Sequence, residues 1–181
     1  MVPLTELWLP ILVSAVFVFI TSNILHMVIA AWHRGDYAKA STENALVDAI
    51  ASLPSNQYVV PLCDWRSMTP EERTAQMAKP TAFMIVRNPP SGFGKTLGLW
   101  FLHCLIVSFF VGYLTGRVVG PGAEYLAVHR IAGTSAVMAW ALGAATESIW
   151  FGRPWRITFR HIVDGVIYGL VTGGTFGWLW P

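Results

Sequence analysis

Apolar positions fall in four long runs, and most polar positions collect between the first two. The runs are 7–32, 96–115, 125–150 and 161–180. Each is long enough to cross ~30 Å of hydrocarbon, which takes about 20 helical residues at 1.5 Å rise. Residues 33–95 are charged and turn-rich, with no apolar run of spanning length. The pattern predicts a mainly α membrane protein. Four transmembrane helices form a bundle, and a small α+β cytoplasmic insert with its linker separates the first span from the second.

Inside the insert, Ser41 or Thr42 is placed to cap a helix ending near Ala51, with Leu46, Val47 and Ile50 on its apolar face. Gln57–Leu62 and Thr81–Arg87 read as strands. Between them, Thr69-Pro70-Glu71-Glu72 combines a capping hydroxyl, a proline at the first position and acids in the first turn. These mark a helix start, with the helix running to about Ala78. Asn88–Lys95 reads as a linker, and its Gly-Phe-Gly-Lys lacks the spacing of a phosphate loop.

The first run is too long for a signal peptide and lacks a basic start, so it is expected to stay as a span. Trp8 and Trp32 stand at its ends as interface anchors. The last run carries Gly165, Gly169, Gly173 and Gly177, four residues apart. That spacing drifts only about 40° per step, so they line one face. Ala132, Ala136, Ala139 and Gly143 make a similar line on the third run. Small faces let helix backbones approach closely, within one chain or between copies. With so many such lines, a homo-oligomer or a subunit of a larger membrane complex is expected. Beside the glycines, Asp164, Tyr168, Thr172 and Thr175 form a polar stripe expected to face into the bundle.

Composition sharpens this picture. The chain is 54% hydrophobic and 12% charged, about half the charge of a typical soluble domain. Its 9 tryptophans suit interfacial belts at the bilayer surface. A net charge of +2 and the lack of any basic-aromatic patch exclude nucleic acid as a partner. Cys63 and Cys104 make no disulfide framework. Arg34, Lys39, Arg87, Lys95, Arg153, Arg156 and Arg160 fall on one side of the spans, against Arg117 and Arg130 on the other. The positive-inside rule then puts both termini outside and residues 33–95 in the cytoplasm. Size and charge pattern are those of a small bacterial inner-membrane protein.

Candidate chemistry comes last. Counting residues from the span ends puts His26, His103, Glu147 and Asp164 within roughly 10 Å of the inner boundary. Ionisable groups inside a membrane are costly and mark functional sites. His26 and His103 are the candidate metal ligands. Alternatively, the basic collar of Arg153, Arg156 and Arg160 pairs with Asp164 and Glu147 and makes the cluster an ion-pair lock. Three functions follow. The first is a structural or accessory protein docking through its glycine-lined helices. The second is a small proton- or cation-linked transporter or channel using the His/Asp/Glu cluster. The third is a membrane metal or redox protein. The sequence requires no cofactor, and the lack of a catalytic motif weighs against an enzyme.

Overall fold

The computed structural model describes residues 1–87 and 92–181, and the backbone alone at Ala30. Residues 88–91 of the expected linker lie outside the described residues. In chain order the elements are α1 (Trp8–Asn23), α2 (Ala30–His33), α3 (Glu43–Ala51), β1 (Asn56–Val60), α4 (Pro70–Met77), β2 (Ala82–Val86), α5 (Phe93–Val118), α6 (Tyr125–Ala141), α7 (Ala144–Phe151) and α8 (Trp155–Trp178). The fold is mainly helical with one two-stranded sheet. The chain divides into two compact units, one of Met1–Ala38 with Phe93–Pro181, the other of Lys39–Gly92.

In the first unit, two helices are long and apolar enough to cross a membrane. They are Trp8–Val28, of mean hydropathy 2.1, and Phe93–Val118, of mean hydropathy 2.0. Only 22% and 28% of their most apolar windows are buried. Leu12, Phe17 and Ile20 on α1 and Leu99, Ile106 and Phe110 on α5 face outward. The other two runs do not give such helices. α6 stops at Ala141 after 17 residues and restarts as α7, so 125–150 is two helices. α8 is diluted by Arg156, Arg160, Asp164 and its glycines.

The first run also departs from a single helix to Trp32. α1 widens into a π-helical turn over Ile24–Val28, closed by a 2.8 Å bond from the Ile29 N–H to the Ile24 carbonyl. Ile29 then leaves helical geometry at φ −89°, ψ 50°. α2 therefore starts in a new direction. Such π turns often lie at functional sites.

α6 and α8 make the most extensive helix–helix contact, and the glycines are the reason. A Cβ on Gly165 would lie 2.8 Å from the Ala141 backbone, one on Gly173 2.9 Å from Gly133 Cα, and one on Gly177 2.7 Å from the Tyr125 ring. One on Gly169 would collide with Val137. The whole line is thus covered by α6 of the same chain. On α6 itself Ala132 and Ala136 are buried, while Ala139 and Gly143 are exposed. Gly133 and Ala141 take up the contact instead, because the step from 136 to 139 rotates off the line.

Asp164, Tyr168, Thr172 and Thr175 are all buried. One apolar cluster joins Val107, Val111, Val128, Ala132 and Phe176; another joins Ala15, Val18, Cys104 and Tyr168. Polar cross-links tie the helices: Ser14 to Ser108 at 3.2 Å, Trp100 Nε1 donating to Ser22 Oγ at 2.8 Å, and Ser148 to Thr158 at 2.6 Å. α7 ends on Gly152 in the left-handed region at φ 70°, with the Arg153 N–H closing back on the Glu147 carbonyl.

In the second unit, β1 and β2 pair antiparallel from Asn56↔Val86 to Val60↔Ala82. α4 starts with a full capping box: Thr69 Oγ1 accepts from the Glu72 N–H and Glu72 Oε2 accepts from the Thr69 N–H. α3 has Thr42 at its cap position, but the hydroxyl makes no capping bond.

Candidate functional site

The break at Ile29 sets up the site. It carries α2 and the turn after it back against the start of α8. There Trp32 Nε1 donates to Asp164 Oδ1 at 2.9 Å. Trp32 is therefore a hydrogen-bond donor to a buried acid. His33 Nε2 faces the other oxygen, Asp164 Oδ2, at 3.2 Å. Asp164 is 2% exposed.

The other ring nitrogen of His33 fixes the tautomer. Nδ1 lies 2.6 Å from Asp36 Oδ2. A carboxylate only accepts, so Nδ1 carries the proton. Asp36 also takes a charged hydrogen bond from Arg160. Burial pushes the Asp36 carboxyl up, but the bonds and charges of His33 and Arg160 outweigh it and hold it below the usual carboxylate range. His26 sits on the π-helical turn, its ring stacked on His33 with centroids 4.2 Å apart. Its Nδ1 contacts the Ser22 carbonyl at 2.9 Å, so this nitrogen too is the donor and Nε2 is left free. One ligand atom each from His26, His33 and Asp164 lie within 4.8 Å of one another. The His161 ring stands 5.7 Å from His33.

The site opens into a cavity of ≈ 570 Å³, whose walls include Asn23, His26, Trp100, Trp140, Asp164 and Tyr168. Trp140 Nε1, Tyr168 Oη and Asp164 Oδ2 are buried there without a hydrogen-bond partner among the described residues. Buried polar atoms are rarely left so, and a group of them around one space suits a polar or charged guest.

The four residues placed at one depth by counting therefore separate. His26 and Asp164 meet. His103 does not join them; it packs edge-on against Trp140 at 5.1 Å, beside Trp100. Glu147 pairs with Arg153 at 3.4 Å, and both are partly exposed. The collar divides as well: Arg153 pairs with Glu147 and Arg160 with Asp36, while Arg156 lies near Gly35. Asp164 is held by Trp32 and faces His33, where an arginine had been expected. His33 and Asp36 escape a reading of the sequence, since they lie past the end of the apolar run. Their signal is the His-Arg-Gly-Asp turn, which sets an acid three residues after a histidine.

Compared with known proteins, the chain matches no family model, no curated protein and no solved structure.

Proposed function

We propose that this chain is an integral membrane protein of the small proton- or cation-linked transporter class, with the cavity as its substrate site. In this reading all four helical runs form the membrane bundle, both termini lie outside and residues 33–95 are cytoplasmic. The observation that carries it is Asp164, an acid 2% exposed at the wall of a cavity and facing a histidine. A charge at that depth costs several kcal/mol unless a partner or a guest offsets it. The aromatic walls from Trp100, Trp140 and Tyr168 add faces that attract cations. The outward apolar side chains of α1 and α5 are supported by lipid in the same reading.

The test is flux. Purified protein is reconstituted with a pH-sensitive dye inside the vesicles, and a membrane potential or a cation gradient is imposed. Wild type should change the lumenal pH faster than empty vesicles, and Asp164→Asn should abolish the difference. Wild type that behaves like empty vesicles under every gradient removes the transport reading.

A second reading is an accessory subunit docking on a larger membrane complex. It is favoured by exposed Ile149, Trp150, Trp155 and Phe159, at 60–74% exposure, around the α7–α8 turn. The glycine line of α8 is covered by α6 of the same chain, so a partner or a second copy would use other surfaces.

A further inference from the structure

We propose that His26, His33 and Asp164 form a binding site for a borderline divalent metal ion of the zinc class. This rests on the cation reading of the cavity and narrows it to a chemical class. The argument starts from a conflict. His33 Nδ1 must donate to Asp36, so in a neutral ring Nε2 presents a lone pair. Asp164 Oδ2, itself an acceptor, lies 3.2 Å from that nitrogen. Both atoms are buried, and neither makes a hydrogen bond among the described residues. Two bare acceptors so close repel, and a proton on Asp164, a second proton on His33 or a metal ion between the two atoms would reconcile them.

Three features favour the metal. Two ligands at about 2.1 Å on a tetrahedral ion stand about 3.4 Å apart, close to the observed spacing. Next, His33 already has the outer hydrogen bond that metal-ligating imidazoles have: its Nδ1 donates to the Asp36 carboxylate, which makes Nε2 the ligand atom. Arg160 in turn holds Asp36. Finally, Trp32 occupies Asp164 Oδ1 and leaves Oδ2 for the ion. His26 is the adjustable ligand: it is exposed, its ligand atom lies within 4.8 Å of the other two, and a rotation that unstacks it from His33 would exchange the Ser22 bond for the ion. Two imidazoles and one carboxylate suit zinc or cobalt better than magnesium or calcium. His26 and Asp164 also line the cavity, so an ion held by them would have room for water or a guest as a further ligand.

The test uses the full chain in mild detergent, titrated with Co²⁺ and then with Zn²⁺. Wild type should develop the visible bands of nitrogen-ligated tetrahedral Co²⁺, saturating at one ion per chain and bleached by Zn²⁺. His33→Ala and Asp164→Asn should weaken binding more than about tenfold, and Asp36→Ala by about tenfold or more through loss of the outer hydrogen bond. His103→Ala should keep the spectrum. Wild type without saturable Co²⁺ or Zn²⁺ binding overturns the proposal, and so does a spectrum unaltered in His33→Ala. Binding here is read without flux. A metal-free protein that still moves protons would sink the metal site and leave transport standing; a metal-loaded protein without flux would do the reverse.

Discussion

Two neighbouring glycines in α8 should respond to the same substitution with opposite signs. Gly173 faces α6: a Cβ there would lie 2.9 Å from both Gly133 Cα and the His129 carbonyl oxygen. Carbon atoms in contact settle at about 3.5–4.0 Å, so Gly173→Ala needs a separation of roughly 0.6 Å or more. The obstructing atoms are backbone and cannot rotate away. Overpacking of this kind costs about 1–3 kcal/mol. Gly174 points elsewhere. A Cβ there would meet only Tyr125 Oη, at 3.5 Å, which is ordinary contact. Gly174→Ala should be neutral or should stabilise the helix by up to about 1 kcal/mol. The two variants should therefore differ by about 1–4 kcal/mol in an SDS titration of the detergent-solubilised protein, followed by tryptophan fluorescence. Equal stabilities, or Gly173→Ala matching wild type, would refute the packing argument. Light scattering adds a second check. If the glycine line joined copies, Gly173→Ala would lower the particle mass without unfolding the chain; a line covered by α6 predicts lost stability at unchanged mass.

Two further substitutions probe local devices. Gly152 sits at φ 70° with open space around its Cβ position, so Gly152→Ala should cost about 1 kcal/mol through backbone conformation alone, read in the same titration; no loss would mean that the left-handed turn is not required. Thr69→Ala removes the capping box of α4 and should destabilise that helix by about 1 kcal/mol, seen as faster hydrogen exchange over 70–77 with α5 and α8 unchanged.

The parts of the fold legible in the sequence are those fixed by neighbours in the chain. Thr69-Pro70-Glu71-Glu72 announces α4 because a cap and a proline act within one turn. β1 and β2 lie within one residue or two of their expected bounds for a similar reason, since β-branched and aromatic residues crowd those short segments. The buried stripe from Asp164 to Thr175 follows from helical periodicity beside a small-residue face. The site was legible only in part. Asp164 and His26 stand out as polar groups in apolar runs, yet counting residues gives depth and not direction around a helix. His103 has a suitable depth and points into the Trp100–Trp140 cluster. His33 and Asp36 stayed hidden because the break at Ile29 involves no proline or glycine. A β-branched apolar residue gives no warning that the chain is about to turn back.

The backbone contact between α6 and α8 also decides how the cavity can change shape. Side chains that interlock can change rotamer and let two helices slide; Gly133 against Gly169 and Gly173 offers nothing to rotate. These helices behave as a single stiff keel carrying Trp140, Asp164 and Tyr168. The opposite wall comes from α1 and α5, pinned together by the Trp100–Ser22 bond, and the segment after α1 is tied to the keel by the Trp32–Asp164 and Arg160–Asp36 bonds. A change in the cavity's shape therefore falls to the α1–α5 wall, and the π-helical turn bearing His26 stands between that wall and its tether to Asp164.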